Sequence, residues 1–229
     1  MIEVLDRIPV ALEVDGIMKW LRVRGRNESI ERVVREMIDT ARPLARPKVV
    51  YSVAGVERQG KETVDIDGVP FTSRILRLNL DQTNRVFPYV ATCGQELDEI
   101  AVPEDDLLTA YCLEVIQMVA LGAAMAHLTS HLSRRYQLAQ VSHMNPGSLE
   151  SWPITQQKEL FSVLGDVEGA IGVTLTEQLA MVPVKSSSGI YFPTETEFEN
   201  CQLCPMENCI GRRAPYDPEL VKQYEETTT

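Results

Sequence analysis

The chain has 229 residues, enough for one generous domain or two small ones, and 44% of them are hydrophobic, which is ample for a buried core. Its 33 acidic against 22 basic residues leave a net charge of −11 and a pI near 4.8. That is the wrong sign for a surface that neutralises phosphates or settles on anionic lipid, so neither nucleic acid nor a membrane is an expected partner. The N-terminus, Met1-Ile-Glu-Val-Leu-Asp-Arg7, carries acidic residues and no apolar core ahead of a cleavage site. The expected location is the cytoplasm, where five cysteines, three of them clustered, point to metal or redox use over a disulfide framework.

The first clear element follows Asn27: Ile30, Val33, Val34, Met37, Ile38 and Ala41 fall at helical spacing, with Asn27 or Ser29 as cap and Pro43 as stop. A β region comes next, over Val49 to Val53, Val64 to Phe71, Arg74 to Leu80 and Val86 to Ala91, with Asp67-Gly68 as a hairpin turn. Alternation of Ile75, Arg77 and Asn79 against Leu76, Leu78 and Leu80 predicts a one-sided strand. After Gly94 a short helix spans Gln95 to Ile100, and Pro103 with Asp105-Asp106 opens a long helix to about Gln137. Its run from Leu113 to Leu128 is apolar, but shorter than the roughly 20 residues of a membrane span, and holds Glu114, Gln117 and His127. A core helix is the expectation. Ser142 to Ser148 reads as a turn, Thr155 to Leu164 as a helix capped by Thr155 and stopped by Gly165, and Leu175 to Phe192 as a second β segment turning at Ser186-Ser-Ser-Gly189. The pattern predicts an α+β domain over 1–200 with a largely antiparallel sheet, and a cysteine-rich tail over 201–229 packed on it.

Chemistry concentrates in that tail. Cys201-Gln-Leu-Cys204 can place two thiolates on one ion, and Cys209 adds a third soft ligand of the kind zinc and iron–sulfur clusters select. The local sequence supplies no fourth; His127 and His131, four apart on the long helix, are the first candidates, although surface or capping roles are commoner for such a pair. No Gly-x-Ser-x-Gly elbow, Gly-x-Gly-x-x-Gly turn or phosphate loop is present, which removes the familiar hydrolase, dehydrogenase and nucleotidase readings. The turn Asn145-Pro146-Gly147 exposes backbone that a ligand could approach, and Lys185 with Ser186 could hold an anion, although turns use the same residues for chain reversal.

The block from Ile171 to Phe192 resembles the reactivation domain of cobalamin-dependent methionine synthase: Leu175-Thr-Glu177, Met181-Val-Pro183, Ser186-Ser-Ser-Gly189 and Tyr191-Phe192 stand in that domain's order. Asn145-Pro-Gly-Ser148, Trp152-Pro-Ile154 and Leu160-Phe161 resemble the segment before it. Ile17 to Gly25 and Ala91-Thr-Cys-Gly94 resemble stand-alone members, which end in a cysteine cluster followed by arginine. The resemblance implies a curved α+β fold whose twisted antiparallel sheet is flanked by helices. It implies binding of S-adenosylmethionine and docking on a corrinoid methyltransferase domain that carries the cobalamin. There cob(II)alamin, reduced by an electron-donor protein, is remethylated. Carried over, the ligand segment is His143, Asn145, Pro146, Gly147 and Ser148, with histidine and serine where the family's Arg-x-x-x-Gly-Tyr motif has arginine and tyrosine. Asp15 or Glu13 would make the N-terminal contact, and no acid stands at Ala123-Ala124-Met125, where a helical carboxylate is expected. Two alternatives stand beside this reading: a small iron–sulfur electron-transfer protein built on Cys201, Cys204 and Cys209, and a binding module that kept the fold and lost the ligand.

Overall fold

A computed structural model describes residues 2–23, 25, 27–195, 198–206, 208–209 and 212–226. In chain order these form β1 (Ile2–Leu5), α1 (Val14–Trp20), α2 (Glu28–Ala41), β2 (Lys48–Ser52), β3 (Ala54–Gln59), β4 (Thr63–Ile66), β5 (Val69–Thr72), α3 (Arg74–Asn79) and β6 (Arg85–Thr92). A 3₁₀ turn, Gln95–Leu97, leads to α4 (Leu107–Tyr136) and β7 (Val141–Met144). A second, Ile154–Gln156, opens onto α5 (Gln157–Leu164), α6 (Val167–Ile171), β8 (Thr174–Leu175), β9 (Met181–Val182), β10 (Ser186–Pro193), α7 (Asn200–Leu203) and α8 (Pro218–Glu226).

The sheet is antiparallel and curls into a half-barrel around β6. One edge of β6 takes β2, from Lys48 opposite Thr92 to Tyr51 opposite Tyr89, and then β3 at Ala54 opposite Val86. Its other edge takes β10, and β7 continues the sheet beyond β10. Strand period then sorts the apolar side chains onto two faces. Val49, Tyr51, Phe87, Tyr89, Ala91 and Tyr191 pack with Ala124, Leu128 and Leu132 of α4. Val50 and Val90 meet Leu164, Val167 and Ile171 on the opposite face. Both faces are thus covered, which is why β2 and β6 read as nearly continuous apolar runs. Asp67 and Gly68 turn with φ of 49° and 84°, the left-handed pair a two-residue hairpin needs.

The 30-residue α4 is long and apolar enough to cross a membrane by length and composition alone. Its first half packs Cys112, Val115, Ile116 and Ala120 against α1 and α2, and its second half covers the sheet. It is a core helix joining two hydrophobic clusters. Asp106 caps it by accepting from the Thr109 amide at 3.0 Å, and Gln137 ends it in the left-handed conformation.

Several local expectations are corrected. Residues 74–79 form a helix: Ser73 Oγ accepts from the Leu76 amide at 3.2 Å, and Leu76 and Leu80, four apart, are both fully buried. Leucines at every second position also satisfy helical spacing at every fourth, and burial selected the helix. Ser142 to Met144 is a strand, leaving Asn145 to Ser148 as the turn. Ser186-Ser-Ser-Gly189 lies inside β10, hydrogen-bonded to β6. Thr155 makes no cap, because the 3₁₀ turn precedes α5. Strands β1 and β3 and helices α1, α6, α7 and α8 were not anticipated.

Described residues after 200 pack back on the sheet. Leu203, Leu220 and Tyr224 join the cluster around Phe71, Trp152 and Phe198, and Tyr224 Oη donates to Asn79 Oδ1 at 2.5 Å.

Candidate functional site

Where β7 runs out beside β10, the chain turns at Asn145 to Ser148, and close approach of the backbone dictates two glycines. Gly147 has φ of 80° and donates its amide to the Trp152 carbonyl at 2.7 Å; a Cβ there would sit 2.9 Å from Ile154 Cδ1. A Cβ on Gly189 would run into the Met144 carbonyl and lie 2.7 Å from Asn145 Nδ2. Asn145 is thereby seated against β10: its Nδ2 donates to the Ser188 carbonyl at 2.6 Å and to Tyr89 Oη at 2.8 Å, and its Oδ1 accepts from Asn200 at 3.4 Å.

This turn, the start of α5, the β8–β9 hairpin and the start of β10 enclose a cleft of about 350 Å³. Pro146, Ile154, Leu179 and Met181 give it apolar walls, and Asn145, Ser148, Gln157 and the serines at 186–188 give it polar groups. No charged side chain lines it. The volume falls at the low end of the small-molecule range. Gln157 is 1% exposed, and its Oε1 has no hydrogen-bond partner among the described residues. Its neighbour Gln156 is fully engaged, accepting from the Thr72 amide at 3.0 Å and from Trp152 Nε1 at 3.1 Å and donating to the Thr72 carbonyl at 2.8 Å. An unmet buried amide oxygen costs about 1–3 kcal/mol.

Behind the cleft lies a buried aromatic network that holds His143. It faces Tyr191 across β7 and β10, stacks on that ring at 4.8 Å between centroids, and accepts a hydrogen bond from Arg213 Nη2 at 3.1 Å. Burial, and secondarily the Arg213 guanidinium, push its pKa down to about 4, so it is neutral near pH 7. The fixed cation is Arg213 itself, which also pairs with Glu199 at 3.0 Å. Tyr191 Oη meets Thr129 Oγ1 at 2.9 Å, and burial raises the Tyr89 and Tyr191 phenols.

Of the sequence-predicted ligand residues, the structure brings Asn145, Pro146, Ser148 and Ser186 together on the cleft wall, with Gly147 shaping the turn between them. His143 lies behind the wall. Lys185 adjoins it in sequence, its Nζ 3.9 Å from Glu114, and Asp15 is exposed in the first turn of α1, which packs with α2 and α4. Gln157 and Leu179 were not singled out as site residues, since only folding sets α5 and the β8–β9 hairpin against the turn. Leu179 and Met181 do stand inside the Ile171 to Phe192 block that carries the resemblance, and Gln157 falls between Trp152-Pro-Ile154 and Leu160-Phe161.

The cysteine loop is organised by arginine. Arg212 donates to the carbonyls of Cys201 at 2.9 Å, Cys204 at 2.7 Å, Met206 at 2.7 Å and Ala214 at 2.8 Å, and the Arg213 amide donates to Cys201 Sγ at 3.4 Å. Cys201 and Cys204 are half-buried and Cys209 is exposed. Among the described residues no three His, Cys, Asp or Glu side chains are arranged to hold a metal. His131 is engaged otherwise, its Nε2 2.9 Å from Tyr51 Oη.

Residues 145–202, about a quarter of the chain, match the sequence model for the activation domain of vitamin B12 dependent methionine synthase. A solved structure of the MetH reactivation domain bound to AdoHcy superposes with a TM-score of 0.59 and 15% identity, over 87% of this chain and 81% of that one. No curated protein matches. The chain therefore has the fold of the MetH reactivation domain, and its segment 145–202 carries the sequence signature of that activation domain.

Proposed function

We propose that this protein serves the reductive reactivation of a cobalamin-dependent methyltransferase such as methionine synthase, docking on the cobalamin-bearing domain and holding S-adenosylmethionine in the cleft at Asn145 to Ser148. The observation that carries the reading is a coincidence of boundaries: every residue lining the cleft falls within the segment 145–202 that matches the activation domain. The hollow beside Arg74 and Tyr224, about 410 Å³, draws five of its eight lining residues from outside that segment.

The cleft suits the proposed ligand in its parts. Apolar walls accept a purine face, serine hydroxyls and turn backbone accept a ribose and an amino-acid group, and the absence of lining charge leaves the ligand's zwitterionic end at the rim. The chain's net charge of −11 favours approach of a sulfonium cation. The methyl acceptor would be the cobalt of the partner's cobalamin, reduced by a separate electron donor; the energetic logic is that methyl transfer from a sulfonium is irreversible enough to pull an unfavourable reduction forward. The part assigned to this chain is to hold the sulfonium ligand and to exclude water from it.

Isothermal titration calorimetry with S-adenosylmethionine, and a pull-down against a methionine synthase cobalamin domain charged with cob(II)alamin, test the reading. Saturable binding of both is expected. Binding of neither would remove it, and binding of the corrinoid domain alone would favour a module that kept the fold and lost the ligand.

A further inference from the structure

We propose that Cys201 and Cys204 form a reversible dithiol–disulfide couple that exchanges with small disulfides such as oxidised glutathione. Two sulfurs can join only where the backbone already holds them close, with Cα atoms about 4.4–6.8 Å apart. Cys201 lies in α7 and Cys204 caps its C-terminus, and the Cys204 amide donates to the Cys201 carbonyl at 3.4 Å. Residues three apart in a helical turn have Cα atoms about 5 Å apart, inside that window. Arg212 locks the turn, one guanidinium donating to the Cys201 carbonyl at 2.9 Å and to the Cys204 carbonyl at 2.7 Å. Between them, Gln202 accepts from the Glu199 amide through Oε1 at 2.8 Å and from the Asp217 amide through its carbonyl at 2.8 Å. The pair is therefore held in register before any bond forms, and closing it asks for rotation of two short side chains.

Access and surroundings favour the same chemistry. Cys201 and Cys204 are half-buried, so a small disulfide in solvent can reach them, whereas Cys93 and Cys112 are 0% exposed. Among the described residues no third His, Cys, Asp or Glu joins them in an arrangement that could hold a metal, which leaves the turn's two sulfurs to each other. Exchange begins when one of the two, as a thiolate, attacks a sulfur of oxidised glutathione; that S–S bond breaks, and the departing glutathione thiolate takes up a proton. The second protein thiolate then attacks the protein sulfur of the mixed disulfide and releases the other glutathione. Two protein thiols are oxidised by two electrons in all, and one glutathione disulfide is reduced to two thiols. The reverse sequence restores the dithiol. Cys209 is exposed and lies outside the turn, so its thiol stops at the mixed disulfide.

The test equilibrates the full chain, reduced and desalted, with graded mixtures of reduced and oxidised glutathione, then quenches it in acid, alkylates it and maps its peptides by mass spectrometry. Cys201 and Cys204 are expected to lose alkylation together in one peptide lighter by two hydrogens, while Cys209 carries glutathione and Cys93 and Cys112 stay free. Dithiothreitol restores all three tail thiols. In Cys204→Ser the thiol of Cys201 halts at the mixed disulfide, and Cys209→Ser oxidises as the wild type does. Arg212→Lys keeps the charge and loses the fork, and its equilibrium is expected to move about tenfold toward the dithiol. Linkage of either cysteine to Cys209, glutathione on both without closure, or a zinc ion retained by the tail that blocks oxidation overturns the proposal. An Arg212→Lys variant that matches the wild type overturns the part given to the arginine. The experiment uses no S-adenosylmethionine, so its failure leaves the proposed function standing.

Discussion

A single histidine shows how far residue identity is from residue role. At position 143 the alignment of motifs puts a histidine where a cation is expected, and a lone imidazole can be a cation only if it is protonated. Stacked on Tyr191, 8% exposed and facing Arg213, His143 cannot hold a proton near neutrality. The charge stands instead seventy residues on. The consequence for stability has a definite sign: the folded pKa of about 4 lies below the 6.5 of an unfolded histidine, so the unfolded chain takes up the proton first. Stability from this group is complete above pH 6.5 and falls progressively as pH drops towards 4. Chemical denaturation of wild type and His143→Gln at pH 7 and pH 4 is expected to show the wild type losing roughly 3 kcal/mol more than the variant over that interval. Equal losses would mean that His143 titrates normally. Arg213 had been visible only as one of two arginines after the cysteines, because nothing local records which strand a tail returns to.

At the scale of the element, two segments carry the lesson of ambiguous periods. Residues 74–80 have leucine at 76, 78 and 80, which fits a strand's two-residue repeat and a helix's four-residue one equally well. The structure makes the helix, with Ser73 as its cap and Leu76 and Leu80 facing the cluster around Phe71. Ser73→Ala is expected to cost about 1 kcal/mol by urea denaturation, a loss a strand in that place would not suffer. Ser186 to Gly189 fails in the opposite sense. Three serines and a glycine read as a turn by composition, yet they lie opposite Thr92 to Tyr89 in β10. The glycine is required because β7 comes too close for a side chain, and a clash with a strand distant in sequence cannot be read locally. The long helix, the α2 helix capped by Asn27 and the Asp67-Gly68 hairpin were legible because period, cap and turn chemistry all agreed.

For the molecule as a whole, α4 binds the parts into one structure. Its N-terminal half is buried against α1 and α2 and its C-terminal half against the sheet, so loss of a side chain near the join weakens both. Leu128 is fully buried on the sheet-facing half, and Leu128→Ala is expected to destabilise the chain by about 3 kcal/mol with a single cooperative transition in both circular dichroism and tryptophan fluorescence. Separate transitions would show that the two clusters unfold independently. From its residues alone the chain declared an acidic α+β protein with an antiparallel sheet, a buried apolar helix, and the turn and serine block that flank the cleft, because composition, period and turn chemistry are local properties. Tertiary structure decided what meets what: that α5 and the β8–β9 hairpin flank the cleft, that Arg213 rather than His143 carries the charge behind it, and that Cys201 is tied into an arginine-held loop. Those are contacts between segments tens of residues apart, set by which apolar faces must be buried together, and no local pattern encodes them.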